Sequence, residues 1–68
     1  MTEIQQEFAG KLPAQPPAGL SPKAWQLLQQ HVVEELSYEE IARYQGVLPE
    51  DAERMVEAAA ARLRQLSR

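Results

Sequence analysis

The sequence contains no cysteine and only one histidine, His31, among its 68 residues. Without cysteine the chain cannot form a disulfide, a cysteine-based zinc site or a thiol nucleophile. One histidine cannot complete another kind of metal site, so we expect neither a metal ion nor any other cofactor. His31 stands among ordinary helix formers, and we predict a plain surface or boundary residue, with a pH-sensitive contact as the alternative.

Long apolar runs are also missing. No stretch approaches the roughly 20 apolar residues that span a bilayer. The N-terminal stretch MTEIQQEF lacks the basic and then apolar order of a secretion signal. We therefore expect a cytoplasmic protein that makes no contact with a membrane.

Basic residues are scarce. Seven lysines and arginines stand against ten acidic residues, which gives a formal net charge of -3 and a sequence pI near 5.0. A domain that binds nucleic acid usually presents a basic patch, because its affinity depends on phosphate contacts. The composition therefore argues against nucleic acid as the partner.

The N-terminal part of the chain is rich in residues that interrupt helices. The segment GKLPAQPPAGL, from Gly10 to Leu20, contains three prolines and two glycines, which favour neither a helix interior nor a sheet. Before it, Ile4 and Phe8 lie one helical turn apart, which favours a frayed turn or, alternatively, a short arm that docks on a partner. We predict that residues 1–20 form a flexible N-terminal arm and Pro-rich linker.

The remainder of the chain shows helical signals. Ser21 and Pro22 suit the start of a first helix that runs to about Glu35. Its apolar stripe consists of Trp25, Leu28, Val32 and Leu36. Strand signals are absent, since β-branched residues are few and do not alternate with polar ones.

Two further helices follow a second start signal. Ser37 and Glu40 match a capping box, and Gly46 suits the stop of a helix of about two turns. A last helix is predicted from near Pro49 to about Leu66. These signals predict an all-α fold: a small three-helix domain over residues 21–68 with a helix-turn-helix and a long C-terminal helix, preceded by the Pro-rich N-terminal arm.

The stretch from Leu20 to Leu66 resembles region 4 of bacterial RNA polymerase sigma factors. The resemblance is carried by LSYEEIA, by Gly46 with Val47, and by the terminal ARLRQL. In that family the domain binds promoter DNA through its third helix and also docks on the flap of the polymerase β subunit. The resemblance implies a helix-turn-helix in bacterial transcription regulation, with RNA polymerase, a sigma factor or another regulator as the protein partner.

This sequence departs from the family on the exposed face of the third helix. Asp51, Glu53, Met55 and Glu57 stand where family members usually have threonine, serine or basic residues. Acids in the first turns also stabilise a helix through its dipole. On a helix-turn-helix, however, they would face base edges and phosphates. We therefore predict a protein-binding acidic face, formed by Glu50, Asp51, Glu53, Arg54 and Glu57.

Other functions stay open from the sequence. The alternative is a dimeric DNA-binding regulator with backbone contacts from Arg43, Arg54, Arg62 and Arg64. A second possible surface, for a partner helix or a homodimer, comprises Met55, Val56, Ala59, Leu63 and Leu66, which could equally be core. An enzyme is not expected, because no nucleophile lies beside a base and there is no phosphate cradle or metal set. We accordingly predict no catalytic residues and no small-molecule substrate.

Overall fold

The computed structural model describes residues 1–66, which contain four helices and no strand. The helices are α1 (Glu3–Phe8), α2 (Pro22–Val32), α3 (Tyr38–Gln45) and α4 (Pro49–Leu66). The prediction of an all-α fold is confirmed, and the last two residues of the predicted domain, 67 and 68, lie outside the described residues. In the described part no helix has both the length and the apolar character needed to cross a membrane.

The predicted start signals form the expected caps. The Ser21 hydroxyl accepts a hydrogen bond from the Ala24 amide at 3.1 Å. Ser37 and Glu40 form a reciprocal capping box, with both hydrogen bonds at 3.1 Å. Each cap satisfies an amide that has no partner within its own helix, which fixes where α2 and α3 begin.

The turn between α3 and α4 is short, as a helix-turn-helix requires. Gly46 has φ 69 and ψ 34, a left-handed conformation that glycine adopts without steric cost. The amide of Val47 then donates to the carbonyl of Ala42 at 3.1 Å. After this turn α4 starts at Pro49, so both its predicted bounds agree with the structure.

Helix α2 ends at Val32, three residues before the predicted end. Glu35 has φ 57, and the Leu36 amide donates back to the Gln30 carbonyl at 3.1 Å. Glycine is the residue that normally takes a left-handed conformation at the end of a helix. Sequence reasoning placed the end too late because no glycine marks it.

Replacing Glu35 with glycine is expected to stabilise the protein. A left-handed conformation costs a residue with a Cβ about 1–2 kcal/mol, and the entropy of glycine in the unfolded chain offsets about 0.5–1 kcal/mol of that. The net gain should be about 0.5–1 kcal/mol, measured as a higher urea midpoint with an unchanged slope. A Glu34→Gly variant is the matched control and should be destabilised, since only Glu35 has a positive φ among the non-glycine residues described. A midpoint lowered equally in both variants would contradict the expectation.

The hydrophobic core lies where α2 and α3 pack on α4. Most of the predicted stripe of α2 is buried, including Trp25, Leu28 and Val32, while Leu36 is half-buried. Leu27 is also fully buried, although it lies off that stripe. The second packed face arises because α2 contacts other helices on two sides. The buried apolar residues of α3 and α4 are Ile41, Ala42, Ala52, Val56, Ala59, Ala60 and Leu63.

The N-terminal segment is folded, and the prediction of a frayed turn is wrong. Residues Glu3–Phe8 form α1, whose cap is a reciprocal box between Thr2 and Gln5. Ile4 and Phe8 belong to the hydrophobic core, with 7% and 8% of their surface exposed. The radius of gyration of 10.9 Å agrees with the ~11 Å expected of a compact domain of this length. The Pro-rich linker therefore folds back and brings α1 onto α2.

Candidate functional site

The predicted acidic residues of α4 are found mostly on one exposed side. Glu50, Glu53 and Glu57 are exposed, and their spacing of three and four residues places them within an arc of about 60° around the helix axis. Asp51 lies about 100° further around from Glu50 and is half-buried. The three glutamates therefore share a face, and Asp51 lies at its edge.

Arg54, the one cation in the predicted acidic face, is paired with Asp51. Its Nη2 atom lies 3.3 Å from Asp51 Oδ1, one turn back along α4. Exposed pairs of this kind add little to stability. The pair nevertheless balances the charge of Arg54 locally, so the net negative charge of this side comes from the glutamates.

Glu53 and Glu57 face a groove rather than open solvent alone. The groove has a volume of about 500 Å³ and lies where α1, the start of α3 and the middle of α4 meet. We call it the acidic groove, and its lining residues are Thr2, Glu3, Ile4, Tyr38, Glu53, Glu57, Ala61 and Arg64. No set of three or more histidine, aspartate or glutamate side chains in residues 1–66 is placed to hold a metal ion.

The pKa of Tyr38 reflects the negative charge of the acidic groove. Burial of its phenol raises its pKa, and the charges of Glu53 and Glu57 raise the pKa further, while a hydrogen bond with Thr2 acts in the opposite direction. Loss of the proton would place a phenolate beside two carboxylates in a partly desolvated site. The groove therefore disfavours an additional negative charge.

Neutralising Glu53 and Glu57 to glutamine is expected to lower the pKa of Tyr38. The value should stay above the ordinary value of about 10, because burial of the phenol is the largest cause and is unchanged. A pH titration of tyrosine absorbance measures the shift in a Tyr44→Phe background, where Tyr38 is the only tyrosine of the chain. Replacing Glu34 and Glu39 with glutamine is the control, and an equal effect of both pairs would contradict the expectation.

The same raised pKa predicts how stability changes in alkali. The unfolded chain releases the phenol proton near the ordinary pKa of about 10, whereas the folded chain retains it to higher pH. The contribution to the free energy of unfolding is therefore complete below pH ~10 and is lost as the pH rises through the folded-state pKa. Unfolding by urea at increasing pH should show this fall.

His31 packs against Tyr38, one of the residues that line the groove, and its predicted place on the surface is wrong. Only 1% of its surface is exposed. Its Nδ1 atom lies 2.8 Å from the Leu36 carbonyl oxygen, and its Nε2 atom 2.7 Å from the Thr2 hydroxyl oxygen. The ring stacks on that of Tyr38 with 4.5 Å between centroids. His31 thus joins the end of α2, the start of α3 and α1.

The arginines of the DNA-binding alternative do not share one surface. The Nε and Nη2 atoms of Arg64 donate to the two carboxylate oxygens of Glu7 of α1 at 2.7 and 2.5 Å. This hydrogen bonding lowers the pKa of the Glu7 carboxyl and raises that of Arg64. Arg62 points about 160° away around α4 and lies against Gly19 of the linker. Arg43 is exposed on a different helix, α3.

This arrangement is unfavourable for a DNA backbone. Duplex binding needs several cations that reach phosphates from one side, since each contact releases counterions. Here Arg54 and Arg64 have carboxylate partners, and Arg62 faces another direction. The charges available to phosphate are therefore few and dispersed.

Known proteins give no further guide to the site. Comparison with protein-family models, curated proteins and solved structures gave no match. The interpretation of the site therefore depends on the residues of the chain itself.

The predicted surface for a partner helix is mostly internal. Val56, Ala59 and Leu63 lie in the protein's own core, with 6% or less of their surface exposed. Met55 is half-buried against that core, and Leu66 alone of the five is exposed, at 46%. The burial supports the alternative that this seam serves as core, and of the five residues it leaves only Leu66 exposed to a partner.

The sequence prediction included the α4 side of the acidic groove and missed the rest. Thr2, Glu3 and Tyr38 were not predicted, because α1 was expected to be loose. A signal for α1 was present, since Thr2 and Gln5 have the spacing of a capping box and Ile4 with Phe8 forms an apolar pair. Nothing local in the sequence indicates that α1 would pack beside α4.

Proposed function

We propose that the protein is a small transcription-associated helix-turn-helix module that binds a basic protein surface through the acidic side of α4. The observation that carries the proposal is the position of Glu50, Glu53 and Glu57. They lie on an exposed face of the helix that would enter the major groove in a DNA-binding helix-turn-helix. Carboxylates in that place repel phosphate and attract lysine and arginine.

The acidic groove supports recognition of a cationic side chain. Glu3, Glu53 and Glu57 contribute three carboxylates around the ring of Tyr38. The arginine at the end of the groove, Arg64, is already bound by Glu7. A lysine or arginine that enters the groove would meet carboxylates and an aromatic side chain, both of which favour a cation. Charge complementarity of this kind supplies orientation and a fast association rate.

The resemblance of Leu20 to Leu66 to sigma factor region 4 supports the setting. It implies that the basic partner is an RNA polymerase subunit, a sigma factor or another regulator of transcription. The proposal thereby includes a bacterial cytoplasmic location. The short turn at Gly46 and the long α4 are the structural features that accord with this setting.

Affinity capture from a bacterial lysate tests the proposal when charge-reversed variants are compared. Glu53→Lys with Glu57→Lys reverses the part of the acidic face that lines the groove. Glu34→Lys with Glu39→Lys changes the net charge equally at exposed positions outside the groove. We expect the wild type and the control variant to capture one or more proteins that the groove variant does not capture.

The captured proteins are then identified and their binding measured directly. A partner with a basic surface whose affinity falls at least tenfold in the groove variant supports the proposal. Extending the reversal to Glu50 and Asp51 should weaken binding further, since all four acids belong to the predicted face. If the groove variant and the control variant bind the same proteins equally well, the proposed face is not the binding surface.

A further inference from the structure

We propose that α1 is an exchangeable strap, and that the surface beneath it is a docking site for a short acidic amphipathic helix. The protein's own N-terminal segment fills this site within the molecule. A helix of the same chemical pattern from another protein would fill it in its place. This inference goes beyond the proposed function, because it concerns an acidic ligand and the surface that α1 covers, next to the acidic groove that α1 helps to line.

The first element of the docking site is apolar. Ile4 and Phe8, one turn apart on α1, are both buried in the hydrophobic core. Phe8 and Leu63 of α4 line one small depression. The guanidinium carbon of Arg64 lies over the ring of Phe8, 5.9 Å from the ring centroid. A ligand helix therefore needs two apolar residues with a spacing of four.

The second element is the C-terminal end of α2. Because this helix ends at Val32, the carbonyl of His31 has no amide of a following turn to accept from. Gln5 of α1 fills this role, with its Nε2 donating to the His31 carbonyl oxygen at 2.9 Å. A ligand helix therefore needs a side-chain amide, as in glutamine, at the position directly after its first apolar residue.

The His31 ring adds a further contact with a fixed direction. Its Nδ1 faces the carbonyl oxygen of Leu36, which can only accept, so Nδ1 carries the proton. In the neutral ring Nε2 is then the acceptor, and the Thr2 hydroxyl donates to it at 2.7 Å. A ligand helix would satisfy the Nε2 atom of His31 with a hydroxyl-bearing residue two positions before its first apolar residue.

The third element is the positive charge of Arg64. Its guanidinium holds the carboxylate of Glu7 through two parallel hydrogen bonds. This geometry distinguishes a carboxylate from a neutral group. A ligand helix therefore also needs an acidic residue directly before its second apolar residue. With this residue it has the same pattern of side chains as Thr2 to Phe8.

The connection of α1 to the rest of the protein permits exchange. A helix of six residues is too short to be stable alone, so α1 folds only where it docks. The linker contains Pro13, Pro16 and Pro17, and its backbone hydrogen bonds, Lys11 to Phe8 and Leu20 to Pro17, are local. Undocking α1 therefore breaks side-chain contacts and no backbone–backbone hydrogen bond of α2, α3 or α4.

The experiment uses the full chain and a labelled peptide with the sequence of residues 1–10, followed by fluorescence anisotropy. In the wild type the peptide competes with α1, so its apparent affinity is reduced by the fraction of molecules whose site is open. An Ile4→Ser, Phe8→Ser chain removes this competition. If α1 is docked in nine of ten wild-type molecules, the variant should bind the peptide about tenfold more tightly.

A charge exchange at exposed positions provides the second measurement. An Arg64→Glu chain should bind the wild-type peptide at least tenfold more weakly than a peptide carrying Glu7→Arg. The wild-type chain should show the opposite order. Arg64 and Glu7 are both exposed, so this exchange leaves the buried core residues unchanged. The measurement therefore stays informative even if the Ile4→Ser, Phe8→Ser chain does not fold.

The two measurements together decide the proposal. Tighter binding by the serine variant and reversed preference by the Arg64→Glu chain support it. Equal affinity of both peptides for the Arg64→Glu chain, or absence of peptide binding by every chain at millimolar peptide, would overturn it. A failure here leaves the proposed function standing, because the peptide probes an acidic ligand and the lysate capture probes a basic one.

Discussion

Replacing Ile41 with alanine is expected to remove most of the protein's stability at room temperature. Ile41 is fully buried where α3 packs on the core, and truncation of such a side chain costs about 2–5 kcal/mol. A domain of this size has roughly 3–5 kcal/mol of stability in total. The substitution should therefore remove most or all of the free energy of unfolding, measured by urea denaturation followed by circular dichroism.

The matched control lies on the same helix. Tyr44 is 73% exposed, so Tyr44→Ala should change the free energy of unfolding by about 0.5 kcal/mol or less. The comparison separates loss of core packing from the change in helix propensity in α3, which alanine raises at both positions. Equal destabilisation by the two substitutions would show that α3 is not packed through Ile41.

Replacing His31 with alanine is expected to have the second largest effect. The change leaves the Leu36 carbonyl without its hydrogen bond and opens a cavity beneath Tyr38. An unsatisfied buried polar group costs about 1–3 kcal/mol, and the lost packing adds to this. We expect a loss of about 2–4 kcal/mol on these grounds, together with release of α1 because Thr2 loses its contact.

His31→Asn provides an informative comparison. The loss of stability should be smaller than for alanine, because an asparagine amide can still donate to the Leu36 carbonyl. Some loss should remain, because asparagine cannot stack on the ring of Tyr38. Gln26→Ala, at an exposed position of the same helix, should have an effect of about 0.5 kcal/mol or less. A loss of that same small size for His31→Ala would contradict the structure and support the surface position expected from sequence.

Local chemistry explains which parts of the fold were predictable. The caps at Ser21 and Ser37 and the left-handed turn at Gly46 depend on residues within one helical turn, so the sequence alone indicates them. The bounds of α4 follow in the same way from Pro49 and from an uninterrupted helical pattern. These elements carry the acidic residues, and so half of the acidic groove was predictable.

The parts that were missed depend on a contact from α1 and on an unusual local conformation. His31 is buried because Thr2, 29 residues away in sequence, and Tyr38 of the next helix converge on it. The end of α2 was missed because Glu35, rather than a glycine, takes the left-handed conformation. The contact of Thr2 with His31 arises only once α1 folds back through the linker, and no local spacing encodes that arrangement.

The placement of the charges is the basis of our prediction that α4 does not bind DNA. The glutamates of α4 occupy the side that would approach the bases in a DNA-binding helix-turn-helix, while Arg62 points away from that side and Arg64, which shares it, is bound by Glu7. Arg54 is paired with Asp51. The proposed function depends on this separation of charges more than on any other feature of the molecule.

Titration of a labelled DNA duplex with the wild-type protein at low salt, repeated as the salt concentration rises, tests the account most directly. We predict no duplex binding at any salt concentration, because the acidic side of α4 faces where phosphates would lie. Binding at low salt whose logarithm falls steeply with the logarithm of salt concentration, by about 0.9 for each phosphate contact, would contradict the account and identify the protein as a DNA-binding regulator.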